Sequence, residues 1–172
     1  RIPPGDYRLA IQMTDKTSGK LGIYHQEVTV PGYGDDLAMS DLELSWSVAP
    51  EGHGDKFRKR GLWVIPMPSR SFRSGQPPHV YYEVYNLRED EFGRTRYRIS
   101  YTIRQDIQRR SGLYGALASA FHHLLPGEGR KIKVSYDRAG TEGSEQMFIA
   151  LDTASLESGL HQVAVAVTDL VS

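Results

Sequence analysis

Apolar and polar residues alternate along most of this chain, and that alternation predicts strands. Tyr7, Leu9, Ile11 and Met13 alternate with Arg8, Ala10 and Gln12, the period of two expected of a half-buried strand. Thr17-Ser18-Gly19-Lys20 has turn chemistry, and Tyr24 to Val30 alternates again, so the first stretch predicts a hairpin. Pro31-Gly32-Tyr33-Gly34-Asp35-Asp36 interrupts the pattern and reads as a linker. Beyond it, Leu42, Leu44 and Trp46 are expected on one face of a strand, and Ala49 to Arg60 as a polar loop. Leu62 to Ile65 is a short strand stopped by Pro66-Met67-Pro68. Val80 to Leu87 is apolar on both faces, Val80, Tyr82 and Val84 on one and Tyr81, Tyr85 and Leu87 on the other. Such a strand sits inside a sandwich or under a cover. Thr95, Tyr97, Ile99, Tyr101 and Ile103 alternate with Arg94, Arg96, Arg98 and Arg104 in the cleanest strand pattern. Ile132 to Tyr136, Met147 to Leu151 and Val163 to Val167 complete the series.

One segment departs from period two. Leu113, Leu117, Phe121 and Leu124 recur at helical spacing between Ser111 and Leu125, among alanines, and Pro126-Gly127 comes next. This predicts a short helical insertion over 111–125. Many short strands separated by turns predict an all-β fold, an immunoglobulin- or fibronectin-like β-sandwich carrying that insertion.

The chain also repeats itself. Pro4-Gly5-Asp6-Tyr7-Arg8-Leu9-Ala10-Ile11-Gln12-Met13-Thr14-Asp15-Lys16-Thr17-Ser18 matches Ser158 to Ser172 in pattern, with Gly, Ala, Thr, Asp and Ser in register. The first copy turns at Gly19-Lys20 and runs back to Val30; the second stops at Ser172. The expected organisation is therefore a hairpin over 1–33, ending a preceding similar unit, and a sandwich over 34–172 without its last strand. A sheet edge left open in this way needs a filling. A continuation of the chain, the N-terminal hairpin, or a strand donated by another protein each meets that need, the first two being preferred.

Composition narrows the function. In 172 residues, Lys+Arg and Asp+Glu both number 21, so the formal net charge is zero; a dedicated nucleic-acid binder shows a basic excess. Without cysteine there is neither a disulfide nor a thiolate nucleophile. Cysteine-free chains suit both cytoplasm and periplasm. No run is long enough to span a membrane as a helix, no signal peptide is visible, and the first residue is Arg1 rather than Met.

No constellation of catalytic residues emerges. His122 and His123 are adjacent, which on a helix sets them about 100° apart, poor geometry for one metal. His25, His53, His79 and His161 are isolated. Nucleophile-elbow, phosphate-loop and zinc-binding spacings are all missing. Asp35-Asp36 and Glu89-Asp90-Glu91 lie in predicted turns and lack the alternating oxygen ligands of a calcium loop. No catalytic, metal or cofactor residue is expected. Two features suit docking. Arg94, Arg96 and Arg98 line one strand face, and arginine is favoured at interfaces. The insertion presents Leu113, Tyr114, Leu117, Phe121 and Leu124, either as a cap on the sandwich core or as a surface for a protein or membrane.

Four stretches carry a resemblance: Pro4 to Leu9, Ser40-Asp41-Leu42-Glu43-Leu44, Val64-Ile65-Pro66-Met67-Pro68-Ser69-Arg70-Ser71-Phe72, and Val80 to Leu87. They resemble the C-terminal β-rich region of bacterial GWxTD-domain proteins over most of residues 4–106, and again from Leu151 to Asp169. The Gly-Trp-x-Thr-Asp tetrad itself is absent, since Trp46 and Trp63 stand in other contexts. The resemblance implies an exported, extracytoplasmic and in particular periplasmic β-sandwich protein, with no catalytic residues to carry over. Proteins that look like this one occur in bacteria where a membrane-extrinsic subunit braces the photosynthetic reaction-centre and light-harvesting complex, and the resemblance extends the expectation to such a role. The resulting expectation is a non-enzymatic structural or docking subunit with protein partners in a larger assembly, such as an integral membrane complex, with peripheral membrane contact and no nucleic acid or cofactor. The second reading is a carbohydrate- or peptide-binding accessory module. It requires Tyr81, Tyr82, Tyr85, Tyr97 and Tyr101 to face solvent, although the alternation turns Tyr97 and Tyr101 toward the core.

Overall fold

The computed structural model of the protein describes residues 2–50, 52, 54–73, 75–106, 131–154 and 156–171. The chain divides into two compact units, Arg1–Asp36 and Leu37–Ser172, the boundary falling at the end of the Pro/Gly-punctuated linker.

The first unit is a two-stranded antiparallel hairpin. β1 (Gly5–Thr14) pairs with β2 (Leu21–Val30) from Gly5 opposite Val30 to Thr14 opposite Leu21. Its turn is closed by Asp15 N–H donating to the Lys20 carbonyl (2.9 Å) and Gly19 N–H donating to the Asp15 carbonyl (2.8 Å). Gly19 sits at φ +68°, a conformation that carries little penalty only without a Cβ. The Asp15 carboxylate completes the turn, accepting from the Thr17 N–H at 2.9 Å and the Ser18 hydroxyl at 2.5 Å. The register gathers Tyr7, Leu9, Ile11 and Met13 with Tyr24 and Val28 on one face, all of them exposed.

The second unit is all-β among the described residues and holds two open sheets. One contains β3 (Ala38–Met39), β4 (Glu43–Ala49), β5 (Arg58–Lys59), β6 (Leu62–Pro66), β7 (His79–Tyr85) and β10 (Glu145–Ala150), in the order β10-β7-β4-β6-β5 with β3 also on β7. The other contains β8 (Thr95–Asp106), β9 (Lys131–Gly140) and β11 (Leu160–Asp169), in the order β11-β8-β9. A single main core joins the sheets in a sandwich-like arrangement. Val80, Tyr82 and Val84 of β7 and Met147 of β10 share it with Tyr97, Ile99, Tyr101 and Ile103 of β8, and Val163, Val165 and Val167 of β11 pack against it. Each such apolar side chain, once buried, contributes about 1.5–3 kcal/mol.

The apolar outer face of β7 is covered as well: Tyr81 is buried with Val48 and Val64 in a second, smaller core. Leu87, expected on that face, instead joins the main core. The strand ends at Tyr85, Asn86 takes a left-handed φ of +61°, and the reversal turns Leu87 inward, where its N–H donates to the Gly143 carbonyl at 2.8 Å. Trp46 also departs from expectation. Leu42 and Leu44 pack against the main core, but the β4–β6 register shifts between Ser45 and Ser47. This bulge turns Trp46 out to solvent, where its ring meets Phe72 edge-on at 5.9 Å. Within the predicted polar loop, Arg58 and Lys59 form the short β5. The expected helical insertion, 111–125, lies outside the described residues.

Candidate docking surface

β8 sorts its residues as its alternation predicts. Tyr97, Ile99, Tyr101 and Ile103 are buried, while Arg96, Arg98 and Arg104 point away from the core and are exposed. Directly opposed residues in antiparallel strands share a face, so the register shows what surrounds these arginines. On β9, Ala139 lies opposite Arg96, Asp137 opposite Arg98, Ser135 opposite Ser100, Lys133 opposite Thr102 and Lys131 opposite Arg104. On β11, Thr168, Ala166, Ala164 and Gln162 lie opposite Arg98, Ser100, Thr102 and Arg104.

The outer face of this sheet is therefore small-sided at its centre and basic at both ends. Ser100 and Ser135 bond hydroxyl to hydroxyl at 2.8 Å beside Ala164 and Ala166. Arg96 and Arg98 stand at one end and Arg104, Lys131 and Lys133 at the other, against the carboxylate of Asp137. Asp137 is spent on Arg98 in a two-point bond, Nε to Oδ1 at 2.6 Å and Nη2 to Oδ2 at 3.0 Å. That bond holds the Asp137 carboxyl below its ordinary range, with the charges of Arg98 and Arg96 adding to it, and raises the Arg98 guanidinium. Arg96, Arg104, Lys131 and Lys133 enter no ion pair among the described residues.

Of the sequence-expected docking residues, Arg96 and Arg98 meet on this face. Arg94 does not belong to it. It precedes β8 and is bound into the turn before the strand, where its N–H donates to Asp90 Oδ1 at 3.0 Å and its Nε to Oδ2 at 3.2 Å, with the guanidinium 4.9 Å from the Phe92 ring centre. Asp90 also accepts from the Phe92 N–H at 2.9 Å, and these bonds, led by that from the Arg94 backbone, hold its carboxyl low. Asp90 is thus a turn-organising carboxylate. Leu113, Tyr114, Leu117, Phe121 and Leu124 lie outside the described residues; the chain leaves β8 for them and returns into β9 at the end of the face that carries Arg104 and Lys131. Lys131 and Lys133 were legible in the alternation of Lys131, Ile132, Lys133 and Val134, but only the register places them beside Arg104.

Tyr81, Tyr82, Tyr97 and Tyr101 are buried, which removes the solvent-facing ring platform that sugar binding requires. The Tyr81 and Tyr85 hydroxyls both donate to Glu83, at 2.8 and 3.0 Å, and Arg60 approaches the same carboxylate at 3.5 Å. Lys59 pairs with Glu43 and lies 5.4 Å from the Tyr81 ring centre. Leu44, Phe72, Ile103 and Leu151, together with Arg70, Arg73, Glu157 and His161, line a mixed cleft of about 280 Å³ beside the main core. No group of histidines and carboxylates among the described residues is arranged to hold a metal ion.

No protein-family model matches the chain, and no curated protein or solved structure matches it.

Proposed function

We propose that this chain is a non-enzymatic, extracytoplasmic docking module that binds a protein partner through the outer face of the β11-β8-β9 sheet. One observation carries the reading: a three-stranded face whose centre is small and whose cations, apart from Arg98, are unpaired among the described residues. Small side chains let a partner's surface approach closely. Unpaired arginine and lysine supply the electrostatic complementarity that orients an acidic partner and speeds its arrival. With zero net charge, the attraction comes from the placement of charge, not from an overall excess, which favours one acidic protein surface over a nucleic-acid backbone.

The finer architecture in this reading is an immunoglobulin- or fibronectin-like sandwich, supported by the single core between two antiparallel sheets. The likeness to the β-rich region of GWxTD-domain proteins supports an exported, periplasmic setting. In its sharpest form, resting on that likeness alone, the partner is a membrane-bound photosynthetic complex.

The test is gentle purification of the protein from its source membranes, with mass spectrometry of whatever co-migrates. Stoichiometric co-migration with an integral membrane complex is the expected result. Recovery as a free monomer overturns the docking reading.

A further inference from the structure

β11 repeats β1 in three dimensions as well as in sequence. Aligned in register, Gly5 falls on Gly159, Leu9, Ile11 and Met13 on Val163, Val165 and Val167, and Asp15 on Asp169. Gly5, the first residue of β1, and Gly159, immediately before β11, have φ of +151° and +153°, backbone angles that a side chain disfavours. Asp15 and Asp169 close the two strands with the same bond: Asp15 Oδ1 accepts from the Thr17 N–H and Asp169 Oδ1 from the Val171 N–H, each at 2.9 Å. The two segments are thus the same structural element in two settings.

Each strand has one partner among the described residues, but on opposite edges: Asp15 N–H donates to the Lys20 carbonyl across β1–β2, whereas Leu170 N–H, one position further in the aligned register, donates to the Arg96 carbonyl across β11–β8. β1 pairs along its length with β2. β11 pairs on one side with β8, from Leu160 opposite Asp106 to Asp169 opposite Tyr97, and among the described residues its other side carries no strand. Three features mark that side as an acceptor. The edge is as long as β1 and runs in unbroken register with β8. Leu160 to Asp169 contains no lysine, arginine or proline, the residues that ordinarily discourage edge pairing. Val163, Val165 and Val167 pack against the main core yet stay only half-buried, so the core lies partly open along this edge.

We propose that the outer edge of β11 accepts one further antiparallel strand of the β2 type, delivered in trans by another polypeptide. The occupant is an extended segment with the alternation of Leu21–Val30. The β1–β2 register defines its seat: positions equivalent to Val28, Gln26 and Tyr24 face His161, Val163 and Val165. Main-chain hydrogen bonds hold the strand, and the Tyr24 and Val28 positions extend the apolar layer that Val163 and Val165 begin. This edge is a different surface from the basic face, and the inference stands without it.

The test uses the full chain and a synthetic peptide of residues 19–30, read by hydrogen exchange of the segment 160–169. Added peptide is expected to slow exchange in β11 several-fold and saturably. A scrambled peptide, or one carrying Tyr24→Pro, is expected to leave it unchanged; both changes sit in the peptide, so folding of the protein is untouched. Two results overturn the proposal: β11 amides already fully protected in the monomeric chain without peptide, or exchange that stays fast with the peptide in large excess. Neither bears on co-purification, so failure of the edge and failure of the docking reading are read separately.

Discussion

Tyr82 and Tyr101 tie the two sheets of the second unit together through their hydroxyls, 2.6 Å apart in the main core. Their rings meet edge to face with centroids 6.3 Å apart, and the Tyr136 hydroxyl donates to Tyr101 at 3.3 Å. A buried hydroxyl that loses its partner costs about 1–3 kcal/mol, whereas removing both partners is far cheaper. Tyr101→Phe, which takes the partner from both Tyr82 and Tyr136, is expected to destabilise the protein by roughly that amount, and Tyr82→Phe, which leaves Tyr101 its bond from Tyr136, by less. The double variant should lose clearly less than the sum. Urea unfolding of the four proteins measures the coupling; additive losses would show that the bond does not hold the sheets together.

The same burial makes the fold sensitive to alkali. Tyr81, Tyr82, Tyr97 and Tyr101 all have hydroxyls pushed above the ordinary tyrosine value of 10.0, with burial as the leading cause, and Tyr82 reaches about 12. For Tyr97, the bond to Glu145 Oε2 at 2.6 Å adds to the effect. A raised folded value means that the unfolded chain ionises first, so stability is full below pH 10 and falls as pH rises past it. In a phenolate absorbance titration these four tyrosines should stay silent and then ionise together, in the step where the far-ultraviolet circular dichroism of the sheets is lost. Ionisation of the four before that loss would contradict the burial argument.

Asn86 carries the reversal that sends Leu87 into the core. At φ +61° it occupies a region that costs most side chains about 1–2 kcal/mol and glycine almost nothing. Asn86→Ala is expected to lower the thermal midpoint by several degrees more than Asn86→Gly does. Equal losses in the two variants would place the role of Asn86 in its side chain.

Strand positions were legible because period two is written directly in the residues: Tyr97 to Ile103 against Arg96 to Arg104 is a pattern that no other element satisfies. Interruptions of that period were not. The register shift that exposes Trp46 and the left-handed Asn86 that redirects Leu87 are backbone events, and each changes which face the neighbouring side chains take. The docking face was half legible for a related reason. Alternation says which side a residue takes, but pairing between β8 and β9, distant in sequence, decides which residues become neighbours. Hence Arg96 and Arg98 are legible from one strand, Lys131 and Lys133 require the sheet, and Arg94 precedes a strand that begins one residue later.

That division of the arginines gives the sharpest test of the basic face. Arg104, Lys131 and Lys133 have no ion-pair partners among the described residues, so reversing their charge removes attraction toward an acidic partner without stranding a buried group. The combined Arg104→Glu, Lys131→Glu and Lys133→Glu variant is expected to unfold at nearly the parent temperature and to lose co-migration with the native partner. Arg94→Glu, in the turn, should retain the partner and instead loosen the Asp90 loop. Arg98→Ala lies between them. Its bond to Asp137 sits at the surface with both side chains about half exposed, so stability should barely change, while the freed Asp137 carboxylate weakens the face locally. Added salt should weaken the parent complex and partly relieve the loss in the triple variant, because screening acts on attraction in the first and on repulsion by the three introduced carboxylates in the second. Co-migration of the triple variant at parent levels would move the partner to another surface of the chain.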